Sequence, residues 1–187
     1  MKPKKFIKII FLIIIVIIPL ISTACSFLYS LLADSPYDHF ADGLEIPDNI
    51  EINMPRGDRH HDIYYKPETD EIRDSIDFEL YCGFQGGLYW YYAWINNLEA
   101  GKIYLKAYEY TGNTELSSRR LLQATEIEID NTGENITTIG PIRFTIYEGD
   151  WGKYYAARFE LWYKPSDNTK YEMRLSEKNY LIEGWMR

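Results

Sequence analysis

The sequence predicts a mainly β domain: a single antiparallel β-sandwich or partly open barrel with one short helix. Three observations predict it. Short stretches of alternating apolar and polar residues recur between residues 76 and 185, with the period of half-buried strands. Glycine, asparagine and proline separate these stretches as turns do. The chain also has 17 tyrosines and 5 tryptophans, whose large rings can fill a core without disulfides.

The first clear strand covers residues 76–84. Ile76, Phe78, Leu80, Cys82 and Phe84 share one face of it, so Cys82 is predicted to be a small buried residue. Residues 49–54 alternate in the same way and are typical of a preceding strand. The later predicted strands are residues 88–95, 102–111, 125–130, 141–148, 154–163, 171–175 and 179–185.

One helix is predicted over residues 117–124, where the alternation of strands gives way to a helical pattern. Ser117 is the candidate N-cap, because its hydroxyl oxygen can accept a backbone N–H of the first turn. No internal repeat is visible, so the sequence predicts one domain over residues 49–187.

Residues 1–24 predict an export signal, with four lysines before an unbroken apolar run over residues 9–21. The small residues Ser22, Thr23 and Ala24 then lead to Cys25. This arrangement resembles the lipobox of bacterial lipoproteins, although Ser22 stands where a leucine is usual. The resemblance implies cleavage before Cys25, a diacylglycerol on its sulfur and a fatty acid such as palmitate on its new amino group.

Two alternatives to the lipoprotein stay open. An ordinary signal peptidase would release the chain after Ala24. If the segment is never cut, it can cross the membrane as a signal anchor, because residues 9–33 carry no charge and are long enough to span the bilayer. All three alternatives place the rest of the chain in the cell envelope, facing the periplasm or the cell exterior, because the lysines hold the N-terminus inside.

The mature chain is strongly acidic. Without the four signal lysines, 16 basic residues stand against 28 acidic ones, a net charge of −12. Such a surface disfavours nucleic acid and favours a basic protein partner. The alternative explanation is that the acidic residues only keep an exported protein soluble. Acid and proline concentrate before residue 80, so residues 25–48 are predicted to form a flexible acidic tether after the lipidated cysteine.

A run of aromatic residues marks the predicted strand 88–95. Alternate residues face opposite ways, and both faces are apolar enough to be covered. Two interpretations stay open: a central strand whose rings fill the core, or an aromatic platform for a partner protein, sugar or peptide. The candidate binding residues are Tyr89, Trp90, Tyr91, Tyr92 and Trp94.

Other candidate sites are weaker. Residues 58–62 combine two histidines with two aspartates, but adjacent histidines of a strand point to opposite faces, so we expect a solvated loop. Residues 130–135 lack the spacing of a calcium loop, so we expect a turn. The sequence contains no phosphate loop, nucleophile elbow, zinc helix or Cys-x-x-Cys. We therefore expect no catalytic residue, metal or cofactor.

The function that these observations favour is a lipid-anchored protein-binding or structural module outside the cytoplasm, and not an enzyme. A narrower alternative is an immunity protein that neutralises a toxin acting in the periplasm, which suits a small, anchored, acidic chain. A third alternative, a hydrolase of envelope glycan, requires two carboxylates about 5 to 10 Å apart in a cleft.

Overall fold

A computed structural model of the chain describes residues 39–57, 75–167 and 169–185. Within these ranges the secondary structure consists of seven strands and one helix, with two short stretches of bridging residues. The strands are β1 (Asp77–Cys82), β2 (Leu88–Ile95), β3 (Gly101–Glu109), β4 (Ile127–Ile129), β5 (Thr137–Thr145), β6 (Tyr155–Pro165) and β7 (Met173–Ile182), and the helix is α1 (Ser118–Thr125).

The strands form two antiparallel sheets, one in the order β1-β2-β5 and the other in the order β4-β3-β6-β7. Their inner faces meet in one core, where Phe144 of β5 lies 6.0 Å from Phe159 of β6, measured between ring centroids. No ladder joins the two sheets among the described residues, so the strands do not close into a barrel. The predicted antiparallel sandwich with one short helix is confirmed.

The helix α1 joins the two sheets at one side. Leu121 and Thr125 are its buried residues, and the Thr125 hydroxyl accepts the backbone N–H of Leu105 at 3.1 Å. Ser117 precedes the helix as predicted, but its hydroxyl makes no capping bond. It donates instead to the carboxylate of Glu148 at 2.7 Å, which ties the start of the helix to the chain beyond β5.

Several predicted strands differ in the structure. The strand predicted over residues 141–148 is β5, which covers Thr137–Thr145. Residues 171–175 and 179–185 were separate predictions, whereas β7 runs unbroken from Met173 to Ile182. The middle of β7 lacks the apolar alternation of a strand, because this strand lies at a sheet edge where polar residues are tolerated. There Lys178 reaches the other sheet and bonds Asp77 and Glu79 of β1 at 2.9 and 2.8 Å.

The predicted strand 49–54 is wrong: the structure has one isolated bridge within it, at Asn53, and a second just after it, at Arg56. Asn53 pairs with Tyr180 of β7, and Arg56 pairs with Tyr81 of β1. The segment therefore crosses from the edge strand of one sheet to the edge strand of the other. Pro55, between the two bridges, has no N–H to extend a ladder.

One compact unit extends from Tyr37 to Arg187. Residues 39–44 already pack on it, since Ala41 is buried and the ring of Phe40 lies 5.5 Å from that of Tyr155. The globular unit therefore begins upstream of the predicted boundary at residue 49, while the signal and residues 25–38 lie outside the described residues. No helix within the described ranges is both long and apolar enough to span a bilayer.

The sandwich has two ends, which carry different loops. The entry end holds residues 39–44, the turn 83–87 between β1 and β2, the turn 146–154 between β5 and β6, and residues 183–185. The hairpin end holds the loop 96–100 after β2, the loop 130–136 before β5, and the hairpin 166–172 between β6 and β7. The 11 residues of β6 separate the two ends by roughly 35 Å, at about 3.3 Å per residue.

Candidate functional site

The aromatic strand β2 lies in the middle of its sheet, between β1 and β5. Tyr89 and Tyr91 point into the core, and Tyr91 is 0% exposed. The Tyr91 hydroxyl donates to the carbonyl of Thr125 at 2.9 Å, and burial raises the pKa of this tyrosine. The Tyr89 hydroxyl accepts the N–H of Glu183 at 3.0 Å. These two rings hold the fold together rather than forming a surface.

The other face of β2 carries a second aromatic cluster. Tyr92 and Trp94 are buried there with Tyr81 of β1, whose ring meets that of Tyr92 edge to face at 5.3 Å. Trp90 is half-buried, with the guanidinium of Arg143 at 5.5 Å from its ring centroid. Of the five predicted binding residues, only Trp90 keeps an exposed part, because a central strand has neighbours on both sides.

The remaining predicted sites have a structural role or lie outside the described residues. Cys82 is half-buried at the end of β1, with its sulfur 3.6 Å from the carbonyl of Pro55. Residues 130–135 form an irregular loop with a bend at 134–135, in which the side chain of Asn131 accepts the N–H of Ala100 at 2.7 Å. Cys25 and residues 58–62 lie outside the described residues.

A group of possible metal ligands lies at the entry end. One ligand atom from each of His39, Asp42 and Asp150 falls within 4.8 Å of the others. The ammonium of Lys153 already contacts both carboxylates, at 2.7 Å from Asp42 and 2.9 Å from Asp150. Its hydrogen bond, and then that of His39, lower the pKa of Asp42. We assign this group as an ion-pair cluster, since the lysine supplies the positive charge that a metal would bring.

Several carboxylates are buried, and the described contacts give them structural roles. Glu109 accepts the backbone N–H groups of Thr111 and Gly112 and so closes the turn after β3. Glu160, on the outer face of the four-stranded sheet, accepts from Arg158, Arg174 and Trp162. Each of these carboxylates accepts hydrogen bonds from several donors that hold it in place.

The hairpin end contains an open cleft with a volume of about 660 Å³. Its lining combines aromatic, apolar and charged side chains: Asn97, Leu98, Glu99, Tyr163, Pro165, Thr169, Lys170, Tyr171, Glu172 and Met173. Tyr171 is 90% exposed and Met173 is 50% exposed. Large apolar side chains this exposed are typical of a surface that a partner covers.

The walls of this cleft are held in place by hydrogen bonds between the loops. The N–H of Leu98 donates to the Thr132 hydroxyl at 2.9 Å, and the N–H of Ser166 donates to the carbonyl of Ala100 at 3.0 Å. At the floor, the Tyr163 hydroxyl donates to the carbonyl of Glu99 at 3.0 Å. Met173 pairs with Tyr163 in the ladder between β6 and β7, and Tyr171 lies two residues before it. The exposed side chains therefore stand beside a fixed frame, as binding residues do in preorganised sites.

The loops around the cleft are acidic. Residues 96–100, 130–136 and 166–172 contain five acidic residues and one lysine. That lysine, Lys170, is paired with Glu99, and Glu172 is approached by Lys164 at 3.6 Å. The cleft therefore combines two exposed apolar anchors with an excess of negative charge.

This cleft does not suit glycoside hydrolysis. Its two carboxylates, Glu99 and Glu172, are both partly exposed and both paired with lysines. A general acid of a glycosidase instead stands in an apolar pocket that keeps it protonated.

Sequence reasoning missed this site because Tyr171 and Met173 were assigned to a strand. The available signal was the position of Tyr171 directly after the polar stretch 166–170, at the end of a predicted turn. Comparison with known proteins adds no relative, since no family model, no curated protein and no solved structure matches the chain.

Proposed function

We propose that this protein is a lipid-anchored binding module outside the cytoplasm, which takes a basic protein partner at the hairpin-end cleft. The observation that carries the proposal is the combination of Tyr171 and Met173, exposed beside a fixed frame, with acidic loops around them. Aromatic residues and methionine are enriched in protein interfaces, where a few such anchors supply most of the affinity.

The charge of the loops supports a protein rather than a nucleic acid as the partner. Nucleic-acid sites gather lysine and arginine against the phosphates, whereas the three hairpin-end loops hold five acids and one lysine. Acidic groups at the rim of an interface speed the encounter with a basic partner and set its orientation. Affinity then comes from the side chains that become buried in the cleft.

Anchoring through Cys25 supports the same picture. The chain enters the domain from its N-terminal side at the entry end, where Phe40 packs on Tyr155. The hairpin end lies at the opposite end of the strands, so an anchor upstream of residue 39 leaves the cleft turned away from the membrane. A partner in the periplasm or outside the cell can then reach it.

The decisive experiment is affinity capture of a partner from the protein's own cell envelope, with variants at two methionines compared. Met173 and Met54 are 50% and 60% exposed, but only Met173 lines the cleft. We expect Met173→Ala to weaken capture of a specific partner and Met54→Ala to leave it unchanged. Tyr171→Ala should have the larger effect, about 2 kcal/mol or roughly 30-fold in Kd for a hot-spot residue. Equal capture by all variants would refute the cleft as the binding site.

Salt tests the charge part of the proposal. Raising the salt from about 50 to 500 mM shortens the Debye length several-fold, so association should slow clearly while dissociation changes less. Glu99→Gln should reduce the sensitivity of the association rate to salt. An acidic partner, or binding indifferent to salt, would contradict the charge complementarity.

The anchor has its own test. Metabolic labelling with a fatty-acid analogue should mark the wild type and not Cys25→Ser, and the mature N-terminus should be Cys25. An unlabelled wild type that still begins with Met1 would support the signal anchor instead. Stable anchoring fits two acyl chains, because a single chain binds membranes only marginally.

The acidic loops also favour one narrower function, that of an immunity protein. An acidic surface that covers a basic toxin blocks it without any chemistry of its own. In that case the partner captured through Met173 and Tyr171 should be a toxin of the same cell. Cells that lack the protein should lose protection against that toxin, and the Tyr171→Ala variant should restore protection less well than Met54→Ala.

A further inference from the structure

The entry end carries exposed aromatic residues on the tips of two neighbouring turns. Phe84, in the turn after β1, is 53% exposed, and Trp151, in the turn before β6, is 54% exposed. Tyr154 beside them is also exposed. Rings left in water in this way suggest a surface that becomes covered, since most of the other large rings in the described residues are buried or half-buried.

These rings are held firmly by the backbone beneath them. The N–H of Ile146 donates to the carbonyl of Gly87, and the N–H of Trp185 donates to the carbonyl of Ile146, both at 2.8 Å. The Trp151 ring packs directly on the turn 83–87, because a Cβ on Gly86 would lie 2.5 Å from Cδ1 of Trp151. The two turns therefore present their aromatic tips as one surface.

Two arginines lie next to the turn that carries Trp151. Arg119 and Arg120 are exposed at the start of α1, and the guanidinium of Arg120 lies 4.5 Å from the ring centroid of Tyr147. The nearby acids Asp42 and Asp150 are both paired with Lys153. Two further acids of this end, Glu148 and Glu183, are buried, and Glu115 lines the same pocket as the two arginines. The exposed groups of the entry end are therefore close to balanced in charge, in a protein whose mature chain is strongly acidic.

The chain enters the domain at this same end. Asp42 is bonded to Lys153 at 2.7 Å, and Phe40 packs on Tyr155. Residues 26–38 lie between Cys25 and the first described residue. A tether of this length, as the sequence predicts, has a typical reach of roughly 20 Å. A lipid on Cys25 would therefore keep the entry end next to the bilayer.

We propose that the entry end is a membrane-contact surface, in which Phe84 and Trp151 insert into the headgroup region of the lipid bilayer. This inference rests on the proposed anchoring. Aromatic rings, tryptophan above all, concentrate at the membrane–water interface, and the arginines of α1 can pair with lipid phosphates. The contact would set the orientation of the sandwich and hold the hairpin-end cleft upright.

The test uses the full chain reconstituted in vesicles whose acyl chains carry bromine, which quenches nearby tryptophan fluorescence. We expect clear quenching of the wild type, loss of most of it in Trp151→Phe, and no loss in Trp162→Phe, a matched change on the outer face of β6. Phe84→Ser keeps every fluorophore and should also weaken the quenching. Circular dichroism checks that each variant is folded.

The results separate the two proposals. Absence of quenching in a chain that carries lipid and floats with the vesicles would overturn the membrane contact and leave the anchoring intact. Equal quenching in wild type, Trp151→Phe and Phe84→Ser would overturn it as well. Quenching lost in Trp151→Phe, in a chain that fatty-acid labelling fails to mark, would support the contact and reject lipidation. A chain that does not float with vesicles would refute both.

Discussion

The entry end presents exposed Phe84 and Trp151 together with the arginines of α1, whereas at the hairpin end exposed Tyr171 and Met173 stand among acidic loops. Both ends are built on the same strands and share one core. Their loops hold similar numbers of acids, but Glu148 and Glu183 of the entry end are buried, so exposed negative charge is concentrated at the end that lies far from the entry point of the chain. A surface that repels anionic lipid belongs far from the membrane, and a charge-balanced aromatic surface tolerates contact with it.

The largest expected change in the free energy of unfolding comes from a substitution in the core that the two ends share. Phe159 lies between the sheets, 6.0 Å from Phe144 and 5.9 Å from Tyr180. Phe159→Ala should lower the free energy of unfolding by about 3–5 kcal/mol, as for other buried phenylalanines. Tyr171→Ala, at an exposed position, should change it by less than about 0.5 kcal/mol. Denaturant unfolding measures both, and separate transitions for the two ends would show that they do not share one core.

Replacing one glycine at each end by alanine should change the free energy of unfolding with opposite signs. Gly87, at the entry end, has φ +74°, and a Cβ there would lie 2.2 Å from the N of Trp185. Gly87→Ala should therefore cost about 2–3 kcal/mol from backbone strain and overlap.

Gly133, at the hairpin end, is the matched control. A Cβ there would have no atom within 4 Å, and its φ lies outside the left-handed region. Gly133→Ala should stabilise the fold by about 0.4–1 kcal/mol through the unfolded chain. Thermal unfolding compares the two variants, and destabilisation of similar size in both would mean that the two ends do not differ in this way.

Tyr91→Phe tests the bond between the core and α1. The loss of its hydrogen bond to Thr125 should cost about 1 kcal/mol near pH 7. Burial raises the pKa of Tyr91 above its ordinary value of 10.0, so the stabilising effect of this tyrosine is fully present below pH 10 and is lost as the pH rises above it. The gap between wild type and Tyr91→Phe in denaturant unfolding should therefore narrow near pH 11. A gap that widens would contradict the burial of this hydroxyl.

The smallest effect concerns how residues 39–44 are held at the entry end. The hydrogen bond from Lys153, and then that from His39, lower the pKa of Asp42 below 3.8. Its contribution is therefore present above that pH and is lost as the pH falls through the lowered value. Asp42→Asn should speed proteolysis near residue 45 at neutral pH without changing the unfolding midpoint.

Asp167 provides the control at the hairpin end. Hydrogen bonds from the backbone and hydroxyl of Thr169 lower its pKa as well. Asp167→Asn should leave cleavage near residue 45 unchanged. If both variants are cleaved equally fast there, the Lys153 cluster does not hold the entry segment.

Alternation of apolar residues determined most of the fold from the sequence alone. The strand at 88–95 has the same bounds in the structure, because both of its faces are apolar and turn residues flank it. The period of 2 also predicted the other strands of the core, and the short helix lies within one residue of its predicted bounds. The periodicity fails in the polar part of the edge strand β7. There Lys178 points toward the other sheet although it is charged, because its ammonium group is paired with Glu79 of β1.

Only the tertiary structure decided which aromatic residues are core and which are surface. Tyr89 and Tyr91 look like binding residues in the sequence, but they face the core between the two sheets and are buried there. Tyr171 looks like the start of a strand, yet it projects from a hairpin into a cleft formed by residues distant in the chain. Local sequence encodes the preference of each segment for a strand, whereas exposure depends on which segments pack against it, and that is a property of the whole folded chain.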